Sequence, residues 1–179
     1  RISASFCCLA EISAYPPVGS VWPACQEDNR TVNRDWLEQR CDEWVAVFAG
    51  LGAGGVPSIE SLAGVAEADV RFTDPFNDIR GLEALQKLLE HTRKQVRSVQ
   101  FEVQDRAWSG NTVYIRWRMH GRVRVIGEWV VEGVSEVVFS EDAKVECHVD
   151  HWDASTQFFG RLPVIGWLLR LLSSPARIS

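Results

Sequence analysis

Basic runs are scarce in this 179-residue chain. No stretch of Lys or Arg exceeds two residues, and 19 basic against 24 acidic side chains give a formal net charge of -5. That disfavours a nucleic-acid surface, which needs clustered positive charge. Paired cysteines are also missing. Cys7, Cys8, Cys25, Cys41 and Cys147 make an odd count without a CxxC pair, which points away from a disulfide framework or a zinc ribbon and toward a reduced, cytoplasmic setting. Long apolar runs are absent: no segment reaches the ~18 apolar residues of a membrane span, and Phe6 to Ala10 is too short for a signal-peptide core and has no basic run before it. Hydroxylated aromatics are few as well, with two Tyr beside eight Trp and eight Phe. Large rings that carry few hydroxyls fit a deep core or an apolar ligand cavity.

With 46% apolar and 24% charged residues, the chain suits one domain large enough to enclose a pocket beside its core. Residues 1–30 mix Cys7, Cys8, Pro16, Pro17 and Pro23 without a period and read as a poorly structured leader that contributes little to the core. Helical periodicity begins at Thr31. Thr31 or Asn33 can cap, and Trp36, Leu37, Cys41, Trp44, Val45 and Phe48 fall on one stripe. Gly50 stops this helix, Gly52 to Pro57 form a flexible connection, and Ser58 with Ser61 opens a short second helix through Val65. Val70 and Phe72 alternate as a short strand, and Leu82, Leu85, Leu88 and Leu89 space out a third helix ending near His91, Arg93 and Lys94.

The rest reads as strands. Phe101 and Val103 lead to a Ser109-Gly110-Asn111 turn. Val113, Ile115, Trp117 and Met119 then alternate with polar residues, and strands over 125–140 and 143–153 are joined at Glu141-Asp142. Three helices followed by long antiparallel strands predict an α+β domain over 31–159, with a curved sheet and helices enclosing one pocket. Residues 160–179 form a short apolar tail, from Leu162 through Trp167 to Leu172. We expect it to dock over the sheet or the pocket mouth, with a membrane-surface helix or a dimer contact as alternatives.

Two groups of residues can carry chemistry. Asp74 lies between Phe72 and Phe76 and just before Pro75, at a strand end, where an apolar setting would raise its pKa and make it a general base. The plainer reading is a turn carboxylate that accepts backbone hydrogen bonds. In the second group, strand alternation sends His148, Asp150 and Trp152 to one face and Val149, His151 and Asp153 to the other. His148 and Asp150 can form an acid/base pair, or a hydrogen-bonded pair that fixes the tail. A metal site is disfavoured, because His148, Asp150 and His151 cannot face one ion from a regular strand.

The runs Ala68 to Pro75, Arg80 to Leu85 and Lys144 to Asp153 resemble the SnoaL-like branch of the nuclear transport factor 2-like superfamily, over roughly Thr31 to Phe159. The tail from Leu162 to Gly166, with Arg170, resembles that of bacterial members that continue past the last strand. The resemblance implies a cone-shaped, often dimeric fold. It is shared by ketosteroid isomerase, polyketide cyclases, limonene epoxide hydrolase, scytalone dehydratase and binding proteins, so fold alone does not choose function. By the same resemblance Asp74 is similar in position to the general base of ketosteroid isomerase. Trp44 and Ser135 stand where that enzyme has its oxyanion-hole tyrosine and carboxylic acid, which argues against the steroid reaction.

The expectation is therefore a small apolar ligand in a pocket lined by Trp44, Phe48, Phe72, Phe76, Trp117, Ser135 and Trp152. Asp74, His148 and Asp150 would carry a cofactor-independent isomerisation, cyclisation or hydration, in a cofactor-free, metal-free homodimer without nucleic acid or a membrane span. The alternatives are a non-catalytic binder of a lipid-like or polyketide-like molecule and a dimeric interaction module.

Overall fold

The computed structural model describes residues 33–173; residues 1–30, expected to form a poorly structured leader, lie outside that range. The chain begins with α1 (Arg34–Ala49), whose cap is Asn33: its side chain accepts the Asp35 amide at 2.9 Å. Leu37, Cys41 and Trp44 point inward. Trp36, expected on the same stripe, is 44% exposed, because it lies at the edge of the stripe in the first turn. α2 (Ile59–Val65) is capped by Ser58, which accepts the Ser61 amide at 3.2 Å. α3 (Leu82–Gln95) buries Leu85 and Leu89 and carries Arg93 and Lys94 in its last turn, where cations complement the helix dipole.

The strands are β1 (Ala66–Thr73), β2 (Asp78–Arg80), β3 (Val96–Ser109), β4 (Thr112–Val123), β5 (Gly127–Phe139) and β6 (Val145–His151). They form one open, mixed sheet in the order β2-β1-β6-β5-β4-β3. β1 and β6 run parallel and the other neighbours antiparallel. This is the expected α+β class, with two differences in detail. β1 begins at Ala66 rather than near Val70, and β2 is a three-residue edge strand that the alternation pattern is too short to reveal.

Leu37, Trp44, Leu62, Leu85 and Leu89 from the helices share one core with Val70, Phe72, Ile115, Trp117, Val131 and Val145 from the sheet. Each large apolar side chain so buried contributes about 1.5–3 kcal/mol. Polar ties fix the layers. Arg40 donates from Nε to the Ala143 carbonyl at 3.0 Å, bonds the Gly64 carbonyl and pairs with Glu43. Lys144 Nζ reaches the Ala63 carbonyl at 2.8 Å. Burial pushes the Cys41 thiol up to about 11.

After β6 the chain turns through α4 (Ala154–Gln157) and a 3-10 turn (Phe159–Arg161) into α5 (Pro163–Ser173). The first part is fastened to the sheet: Trp129 Nε1 donates to the Gln157 carbonyl at 2.8 Å, the Phe158 ring meets Trp129 at 5.6 Å, and Arg161 bonds the Glu128 carbonyl at 2.7 Å. α5 itself rests on the 3-10 turn and leaves most of its large apolar side chains in solvent. No helix among the described residues is long and apolar enough to cross a membrane.

Candidate functional site

The parallel pairing of β1 with β6 sets Phe72 beside His148 and Thr73 beside Val149. The next residue on each strand is an aspartate, so Asp74 leaves the end of β1 next to Asp150. A tight turn then leads into β2: the Asp74 amide donates to the Asn77 carbonyl at 2.9 Å, and the Asn77 amide returns to the Asp74 carbonyl at 3.3 Å. Within that turn Asp74 Oδ1 accepts the amides of Phe76 and Asn77, both at 2.7 Å, and the Asn77 side-chain Nδ2 at 2.9 Å. Among the described residues Oδ2 accepts only Asn77 Nδ2, at 3.0 Å. Burial raises the Asp74 carboxyl above its usual range, against the pull of these donors, and the neighbouring Asp150 carboxylate adds to the rise.

Asp150 is held by two arms of hydrogen bonds. On one side Trp44 Nε1 donates to His148 Nδ1 at 2.9 Å, and His148 Nε2 lies 2.8 Å from Asp150 Oδ1. An indole N–H can only donate, so Nδ1 is the acceptor and the proton of the neutral ring sits on Nε2, directed at Asp150. On the other side Trp117 Nε1 donates to Ser135 Oγ at 2.7 Å, and the Ser135 hydroxyl donates to the same Asp150 Oδ1. The two arms, Trp44–His148 and Trp117–Ser135, therefore converge on one carboxylate oxygen. Oδ2 of Asp150 takes no hydrogen bond among the described residues and is the atom left for a ligand or a water.

The aromatic lining explains how so much polarity is tolerated indoors. The His148 ring is stacked on Phe72 at 4.7 Å and lies 5.4 Å from Phe48, and both its nitrogens are occupied. Phe48 also meets Trp44 at 5.3 Å and Phe101 at 6.2 Å, and Phe101 meets Trp117 at 5.5 Å. Phe76 and Trp152 stand apart from this wall. Their rings meet edge to face at 5.3 Å, and Phe76 also contacts Phe158 at 5.3 Å and Phe159 at 5.8 Å, forming an aromatic rim that is partly open to solvent. A hollow lined by Val56, Glu90, Arg93 and Lys94 lies at the end of α3 and includes none of these residues. No group of three or more His, Cys, Asp or Glu among the described residues is placed to hold a metal ion.

The sequence singled out Ser135 and Trp117 as lining residues but did not reveal how they join. Trp117 sits opposite Gly133 on β5, and its ring crosses that glycine to reach Ser135. A Cβ at Gly133 would lie 2.6 Å from Trp117 Cζ2 and 2.9 Å from the His151 carbonyl oxygen. Gly133→Ala should displace the indole, break the bond to Ser135 and lower stability by about 1–3 kcal/mol, read by urea unfolding. An unchanged midpoint would show that the ring has another way round.

No curated protein matches the sequence. Among solved structures, a protein of ketosteroid isomerase-like fold from Catenulispora acidiphila, in complex with trimethylamine, superposes with a TM-score of 0.59 at 16% identity, covering 72% of this chain and 96% of its own. An LEH-like epoxide hydrolase from M. tuberculosis gives 0.56 at 12% identity over 78% and 97%. A nuclear transport factor 2-like protein of unknown function from an Exiguobacterium species gives 0.53 at 12% identity over 64% and 98%. These likenesses show a shared fold. The family model described as the SnoaL-like domain matches residues 42–148, from within α1 to His148, and the chain belongs to that family.

Proposed function

We propose that this protein binds a small apolar molecule bearing a carbonyl or epoxide and moves a proton on it without a cofactor, as an isomerase, cyclase or hydratase. The observation that carries the reading is the pairing of Asp74, whose carboxyl is raised by burial, with an Asp150 fixed by two converging arms of donors. A carboxylate of raised pKa is a stronger base than an exposed one, and an oxygen held in place beside it can orient a water or return the proton. In this reading Asp74 is the base and Asp150 the acid/base partner. His148 is a positioning residue, since both its nitrogens are engaged within the protein. Phe48, Phe72 and Trp44 form the apolar wall, and Phe76 and Trp152 the rim.

The SnoaL-like family includes isomerases, cyclases and epoxide hydrolases, which supports the reaction class without choosing among them. Assembly as a homodimer is part of the same reading, with Tyr114 and Val134 exposed on neighbouring strands of the outer sheet face. The test is proton exchange in D2O followed by NMR, with a panel of apolar cyclic ketones and enones as probes. Catalysed deuterium uptake next to the carbonyl is expected, with a loss of about 10²–10⁴-fold in Asp150→Asn. Saturable binding of the panel with no exchange above the uncatalysed rate would establish a binding module instead.

A further inference from the structure

We propose that α5 is an in-plane anchor that enters the surface of a bilayer with anionic headgroups. On a helix advancing 100° per residue, Val164, Ile165, Trp167, Leu168, Leu171 and Leu172 fall on one arc roughly 160° wide. All six are exposed, from 41% at Ile165 to 77% at Val164. Gly166 lies opposite the centre of that arc and is buried on the 3-10 turn, where an added Cβ would stand 2.2 Å from the Gly160 carbonyl oxygen. The glycine thus fixes which side of α5 faces the protein, and the side facing solvent is the apolar one. This reverses the usual arrangement of a surface helix, whose apolar stripe faces the core.

Charge selects the occupant. The chain as a whole is acidic, with a net charge of -5, yet no Asp or Glu occurs after Asp153, while Arg161, Arg170 and Arg177 do. A second copy of the chain would bring the same basic segment, with no acid in it to meet the cations. A lipid surface carrying phosphate or another acidic headgroup supplies both the apolar layer and the counter-charge. Trp167 stands at the edge of the arc, where an indole sits well at the boundary between headgroup and acyl chain. The 11 residues of α5 are too few to cross a bilayer, so the helix lies along it.

The full chain should be tested by co-sedimentation with extruded vesicles of phosphatidylcholine, alone or mixed with phosphatidylglycerol. Binding to the mixed vesicles is expected, weaker in high salt and at least about tenfold weaker to phosphatidylcholine alone. Leu168→Glu, on the exposed face, should lower binding to the mixed vesicles by about tenfold or more while leaving the circular dichroism spectrum and melting temperature unchanged. Arg170→Gln with Arg177→Gln should remove most of the preference for the anionic lipid. The proposal is overturned if the protein stays in the supernatant with both vesicle types, or if Leu168→Glu binds as the parent does. It is equally overturned if the parent ignores vesicles and is a dimer in solution that Leu168→Glu dissociates, which would make α5 a contact between copies.

Discussion

His148→Ala should cost about 3–5 kcal/mol of stability, among the largest losses available to a single change in this fold. The imidazole is 4% exposed and supplies three things at once. It fills the space between Phe48 and Phe72, it accepts the only hydrogen bond that satisfies the Trp44 indole, and it donates one of the two bonds that hold Asp150 Oδ1. Truncation leaves a cavity and strands a donor on a side chain that is itself 1% exposed. An orphaned buried polar group costs about 1–3 kcal/mol beyond the lost packing. For a domain of this size the melting temperature should fall by about 10 °C. Trp44→Phe is the informative companion, because it removes the donor and nearly keeps the volume. Its cost should be about 1–2 kcal/mol, and the double variant should be less than additive, since the two residues share one bond. A loss under about 1 kcal/mol for His148→Ala would mean that the relay is not a structural unit.

The layout of this relay was legible in the sequence only as a set of faces. Period-2 alternation put His148 and Asp150 on one side of the last strand, and helical period put Trp44 inward, because both periodicities follow from backbone geometry that tertiary structure seldom overrides. The hydrogen bonds between those faces were not legible. Trp44 and His148 are 104 residues apart, and their meeting depends on how α1 lies across the sheet. Trp117 and Ser135 are 18 apart and join diagonally over Gly133, a route that depends on strand register. The β1/β6 pairing that brings Asp74 alongside Asp150 is the one parallel pairing among the described residues, and no turn connects its strands to announce it. For α5 the apolar composition was plain, but which side faces outward is decided by a single glycine resting on Gly160. Arg40 gave no signal at all: an arginine on the first helix reads as a solvated charge until the carbonyls of Ala143 and Gly64 are found around it.

Asp74→Asn should abolish proton transfer, by about 10²–10⁴-fold, while leaving the fold at neutral pH as stable as before or slightly more so. The sign follows from the direction of the shift. The folded pKa of Asp74 is raised above that of the unfolded chain, chiefly by burial, so folding favours the protonated carboxyl. Stability from this source is full below the unfolded value of about 4 and is lost as pH rises through the folded pKa. At neutral pH the ionised group is therefore a burden that asparagine does not carry. The neutral amide keeps an oxygen for the Phe76 and Asn77 backbone N–H groups, and what it gives up is the acceptor facing Asn77 Nδ2. Urea unfolding of both proteins across the acid-to-neutral range should show the parent losing stability relative to Asp74→Asn as the pH rises, and the two curves converging in acid. The opposite result is equally readable. If Asp74→Asn is destabilised by more than about 2 kcal/mol at neutral pH and still binds the apolar ketones of the exchange assay, the carboxylate is there to close the turn into β2. The base would then have to be Asp150, whose Oδ2 takes no hydrogen bond from either arm of the relay.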